Sequence, residues 1–115
     1  TIRALKIVWT CPAAAATWEL DSLGLYGELI SLYTVPGTTG PTDNSELDIY
    51  PTGTTAADLL QGLGENAIDN ATANDINIIY TGTSNHPVAC GFYDLVITNN
   101  SVNAATGTII LFLRA

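Results

Sequence analysis

The sequence predicts an all-β fold, an antiparallel sandwich or barrel with the jelly roll among its forms, built as a single domain over residues 1–115. Three observations predict it. Apolar residues recur in short runs rich in Val, Ile, Leu, Tyr and Trp, with period-two alternation in the clearest of them. Pro, Gly and Asn punctuate those runs at short intervals. Only one stretch, near residues 56–63, places its apolar residues at helical spacing. A chain of 115 residues supports one core and little spare volume.

The first strand is RALKIVWTC, residues 3–11. Arg3, Leu5, Ile7 and Trp9 fall on one face, and Ala4, Lys6, Val8 and Thr10 on the other. After Cys11-Pro12 the run AAAA at 13–16 reads as a surface loop or a short packed turn. GELISLYTVPG, residues 27–37, has strong strand propensity and closes at the Pro36-Gly37 turn.

PTDNSELDIY, residues 41–50, holds three carboxylates and an aromatic in ten positions. Asp43 and Asn44 suit a turn, because their short side chains hydrogen-bond nearby backbone. The strand after them alternates strictly, with Leu47 and Ile49 inward and Glu46, Asp48 and Tyr50 on a solvated face. A hard cation held by Asp43, Glu46 and Asp48 is the rival reading, but the spacing and the missing turn glycine do not match a calcium loop.

Ala57, Leu60 and Leu63 then follow Thr54 or Thr55 as a cap, predicting one short helical turn near 56–63 that Gly62 and Gly64 stop. INIIYTG (76–82) resumes as a strand. VACGFYDLVITNN (88–100) supplies the next, with a bulge at Gly91, and TGTIILFLRA the last. The short Asn/Ala/Gly connection predicts that 92–100 and 107–114 pair as a hairpin.

Eleven acids against three bases give a net charge of −8, a field that repels phosphate backbones, so no nucleic-acid partner is expected. No run approaches the roughly 20 apolar residues of a spanning helix, so no membrane partner is expected either. Cys11 and Cys90 read as small, buried free thiols, with a disulfide between them as the alternative. The lone histidine, His86, completes no soft-metal site, and no serine sits in a nucleophile elbow. Pairs such as Cys90 with His86, or two of Glu19, Glu28, Glu46 and Asp48, lack any surrounding catalytic signature. The chain therefore reads as no enzyme, with no catalytic, metal-binding or cofactor-binding residue and no cofactor.

Strands 3–11 and 107–114 carry apolar residues on both faces, more than a monomeric sandwich with one inner face buries. Leu5, Ile7, Trp9, Ile110 and Phe112 are accordingly expected to contact a partner or a second copy. The Trp and Tyr residues also admit a sugar-stacking surface, the feature of a carbohydrate- or receptor-binding β-module.

In order, GELISLYTVPG, PTDNSELDIYPTGTTAADLLQGLGENAIDN and GFYDLVITNNSVNAATGTIILFLR resemble a group of small phage and prophage virion structural proteins. The likeness covers residues 27 to 114 and rests on turn and strand motifs rather than catalytic ones. It implies a capsid decoration (cement) protein on the virion surface, or else a neck or tail accessory protein. Its implied partners are the major capsid protein or other virion proteins; taken with the two-faced apolar strands 3–11 and 107–114 and the low-charge Thr/Asn surface, a homotrimer is the expected self-assembly.

Overall fold

The computed structural model describes residues 1–12, 17–80 and 82–115 of the chain, and among them no helix occurs. Among the described residues, therefore, no helix is long and apolar enough to cross a membrane. Six strands form the fold: β1 (Ile2–Thr10), β2 (Trp18–Pro36), β3 (Glu46–Pro51), β4 (Asn74–Asn77), β5 (Val88–Thr98) and β6 (Thr106–Arg114). All ladders are antiparallel, in the order β1-β6-β2-β5-β3, with β4 also on β2.

The long strand β2 belongs to both layers of this sandwich. Its first half, Trp18 to Glu28, pairs with β5, which pairs with β3. Its second half, Glu28 to Pro36, pairs with β6 on one edge and with β4 on the other. Two register shifts, between Leu20 and Leu23 and between Leu29 and Ser31, each insert one extra residue into β2. Such bulges bend and twist a strand, which lets one segment leave the first layer and enter the second. Ser22 takes a left-handed φ of 56° at the first bulge, and Asp94 Oδ1 accepts its freed N–H at 2.9 Å. The expected bulge at Gly91 is therefore corrected: Gly91 has φ 130° but pairs in unbroken register with Leu25, and the extra residues lie in β2, between Leu20 and Leu23 and between Leu29 and Ser31.

One hydrophobic core lies between the layers. β1 contributes Ile7 and Trp9, β6 contributes Ile109, Leu111 and Leu113, and the second layer contributes Leu25, Leu47, Ile49, Leu95 and Ile97. Trp9 stands against Trp18 with ring centroids 6.2 Å apart. Its ladder partner is Gly107, where an added Cβ would approach the indole to 2.7 Å, so the ring lies on bare backbone. The buried Thr34 hydroxyl donates to Ala67 O at 2.7 Å, leaving no polar cost at the centre.

Two further expectations are corrected. Residues 92–100 and 107–114 do not pair: β5 lies between β2 and β3, and β6 between β1 and β2. The connection after β5 instead crosses from one layer to the other. Asn100 anchors it, accepting the N–H groups of Thr42 and Val102 on Oδ1 and donating to Val102 O. The helical turn near 56–63 is a run of tight turns, with N–H to O bonds from Gln61 to Asp58, Leu63 to Leu60, Glu65 to Gly62 and Ala67 to Gly64. Left-handed φ values at Gln61 (51°) and Gly62 (82°) stop helical winding there. The alanine run at 13–16 and Thr81 lie outside the described residues.

Candidate functional site

Strand alternation decides which apolar residues are free. Leu5, Ile7 and Trp9 point inward: Ile7 and Trp9 are buried core and Leu5 packs against it. Their expected place in a partner contact is corrected, because the register opposes Leu5 to Leu111 and Ile7 to Ile109, the inner row of β6. Ile110 and Phe112 point the other way, opposite the buried Ile109, Leu111 and Leu113. The outer face of the first layer thus retains two of the five expected contact residues.

That face is built row by row from the ladders. One row runs Lys6, Ile110, Tyr33, Asp75 across β1, β6, β2 and β4. The next runs Ala4, Phe112, Ser31, Asn77, and the row beyond it Ile2, Arg114, Glu28. A shallow groove of about 460 Å³ lies among Ser31, Tyr33, Asp75, Ile110 and Phe112. Ser31 is the small side chain that leaves the space. The apolar stretch continues at the β1 edge, where Ile2 and Val8 are 57% and 70% exposed.

A second exposed patch lies on the outside of the other layer. Tyr26 and Phe92 are 49% and 60% exposed. A Cβ built at Gly24 would lie 3.5 Å from the Tyr26 ring and 3.8 Å from the Phe92 ring, so both rings border the same bare backbone. Val88 and Cys90 share this face, because β5 alternates outward from 88 to 92. Both thiols are free, as expected, but the expectation that Cys90 is buried is corrected. Burial pushes the Cys11 thiol up, against a smaller opposite effect of its hydrogen bond from Asn100.

The opening acidic stretch is tied into structure. Asp43 Oδ1 accepts Asn70 N–H at 2.7 Å, and Asp69 Oδ1 accepts Asn44 N–H at 3.1 Å, a reciprocal clasp between two turns. Leu47 and Ile49 are buried, as the alternation predicted. The face opposite is less solvated than expected, since Asp48 is buried too. The turns at 58–64 cover it as they bond the free edge of β3: Leu47 N–H to Gly64 O, Leu59 N–H to Ile49 O, and Ile49 N–H to Asp58 Oδ1. Among the described residues, the carboxylates that gather most closely are Glu19, Asp21 and Asp94, not the Asp43 group. Asp94 already serves Ser22 N–H and the Thr52 hydroxyl, which hold its carboxyl below the usual range.

The Asp48 carboxyl is pushed up to about 7, first by burial and then by its hydrogen bond with Glu46 and the charges of Asp58 and Glu46. Its hydrogen bond with Tyr50 opposes the shift. An unfolded aspartate titrates near about 4, so between about pH 4 and 7 the folded chain holds a proton that the unfolded chain has released. Stability is therefore expected to fall as pH rises through that window and to level off above it. Urea titrations should show a loss on the order of 2 kcal/mol between about pH 5 and about pH 8. Asp48→Asn should flatten the dependence and be the more stable protein at the higher pH. An unchanged slope in the variant would contradict this assignment.

Among the described residues, the remaining chemistry-bearing side chains do not assemble into a common cluster. His86 engages Ile78 O through Nδ1 at 2.6 Å. Glu28 pairs with Arg114 at 3.5 Å across exposed surface. A cleft among Pro51, Ala57, Asp58, Leu59, Gln61, Tyr80 and Tyr93 encloses only about 230 Å³, below the ~300 Å³ at which small-molecule pockets begin.

No family model matches the chain, and no curated protein matches it. Among solved structures the chain is similar to one from Bacillus endospore appendages, described as a novel family of disulfide-linked pili. The two share 15% identity over 98% of this chain and 86% of the other, at a TM-score of 0.40. That degree of likeness carries no inference about what the chain does.

Proposed function

We propose that this chain is a structural subunit of a virion, of the capsid decoration type, that works by protein–protein contact rather than catalysis. The observation that carries the reading is the outer face of the first layer, where the half-buried Tyr33, Ile110 and Phe112 line a shallow, mainly apolar groove open to solvent. Exposed apolar faces of this kind are contact surfaces in soluble assemblies. The motifs in residues 27 to 114 that resemble small virion proteins support the same direction. Contact through this face makes the chain a symmetric homo-oligomer seated on a larger shell.

Phe112→Asp tests it. Phe112 is half-buried and outward, so a charge there leaves the core intact while placing a desolvated carboxylate in the contact. Multi-angle light scattering should show the wild type as an oligomer and the variant as a monomer, association falling by more than about 100-fold. The far-ultraviolet circular dichroism of the variant should be unchanged. A wild type that stays monomeric at high concentration would overturn the reading.

Tyr26 and Phe92 favour a second reading, a carbohydrate-binding module, since sugars stack on exposed rings presented side by side. Glycan-array binding that Tyr26→Ala abolishes and Phe112→Asp leaves intact would select it.

A further inference from the structure

Charge is not spread evenly over this acidic chain. Of its three bases, two, Lys6 and Arg114, occupy ladder positions on the outer face of the first layer. They are matched there by two acids, Asp75 and Glu28, so the face is neutral on a chain whose net charge is −8. Lys6 stands at the β1 edge and Asp75 at the β4 edge of one row, with Ile110 and Tyr33 between them. In the row containing Ile2, Arg114 is on β6 and Glu28 on β2. Both rows therefore run from positive on the β1 side to negative on the β4 side.

We propose that this face binds the same face of a second copy about a twofold axis parallel to the strands, lying between β6 and β2. That operation leaves each row in place along the strands and reverses its direction across them. Lys6 of one copy then meets Asp75 of the second copy, and Asp75 meets Lys6. Arg114 and Glu28, paired with each other at 3.5 Å within each copy, face the second copy's pair in the opposite order, Arg114 over Glu28. In the middle row Phe112 falls over Ser31 of the second copy, the small residue that opens the groove. A twofold axis running across the strands instead stacks basic edge on basic edge and acidic edge on acidic edge. The neutral face, its antisymmetric charges and the ring-over-groove match all select the first arrangement.

Geometry also sets the strength. Four strands about 4.8 Å apart and three rows about 6.8 Å apart give a contact of about 400 Å² per copy, half of a standard interface. A contact of that size belongs to the weak, reversible class of interfaces. This inference rests on the proposed function for the face and adds the partner, the symmetry and the register.

Sedimentation velocity from about 1 to 500 µM, the range of weak reversible pairs, tests it. The wild type should pass from monomer to dimer. Lys6→Asp and Asp75→Lys, both at exposed positions, should each weaken the dimer at least about tenfold, because each sets like charges opposite one another. The double variant should return to within about threefold of wild type, because the swapped edges again oppose unlike charges. A double variant as weak as the single ones, single variants that dimerise normally, or a wild type that forms trimers would each overturn the twofold arrangement. Phe112→Asp separates this from the broader reading. If it dissociates the oligomer while the charge swap fails to rescue, the face is a contact but the symmetry is wrong. If it leaves the oligomer intact, the face itself is wrong.

Discussion

Trp9→Ala is expected to cost about 4 kcal/mol, a large share of the roughly 5–15 kcal/mol that holds a domain of this size folded. The indole is 1% exposed and sits where three things meet: the inner row of β1, the start of β2 through Trp18, and the bare backbone of Gly107. Truncation leaves a void that Gly107, having no side chain, cannot fill, and the neighbouring strands are fixed by their ladders. Such a site collapses poorly, which places the cost toward the upper part of the usual range. Urea unfolding followed through Trp18 fluorescence checks it. A loss below about 1 kcal/mol would mean that the indole is not the keystone described.

Asp58→Ala is expected to cost about 2–3 kcal/mol. One carboxylate accepts three backbone N–H groups: Ile49 and Leu60 on Oδ1, at 3.0 and 3.1 Å, and Gly62 on Oδ2, at 3.0 Å. Alanine leaves all three without an acceptor and frees the turns from the β3 edge. Asn at the same position keeps the first two bonds but turns an amide N–H toward Gly62, so its loss should be intermediate. The comparison belongs near pH 5, where Asp48 holds its proton and relief of its repulsion with Asp58 does not mask the loss. Equal stability of Asp58→Ala and wild type there would contradict the anchoring role. Backbone amide exchange in residues 58–64 gives an independent readout, since these amides should lose protection first.

Strand existence was legible because alternation is a local property. Leu5, Ile7 and Trp9 against Ala4, Lys6 and Val8 needs no partner to be seen, nor does Ile109, Leu111 and Leu113 against Ile110 and Phe112. Which of two apolar faces is the inner one is not local, and that is why β1 contributed the wrong row to the expected contact. The first half of β2 was missed for a different reason. Asp21-Ser22 has turn chemistry, and the extra residue there breaks the period-two pattern that would have marked a strand. The hairpin expected from 92–114 failed because turn residues report a reversal of direction and not which sheet receives the next strand. Asn100, which holds that crossing, is a buried amide whose role shows only in the partners it gathers from Cys11, Thr42 and Val102. The neutral outer face is equally invisible along the chain, since Lys6, Asp75, Arg114 and Glu28 meet only through the pairing of four strands.

The pairing of β1 with β6 alone, among the described residues, has a temporal side. Ile2 lies opposite Arg114, so β1 gains its first ladder partner only when the sixth strand has been made. At about 5–20 residues per second, a ribosome leaves β1 waiting for about 5–20 s, with Ile7 and Trp9 still exposed to other nascent chains. Closing a loop of that length is also an entropically slow step, so folding of the first layer should be limited by capture of β1 rather than by growth of any turn. Whatever shields the start of the chain during that interval governs how much of it reaches the folded state.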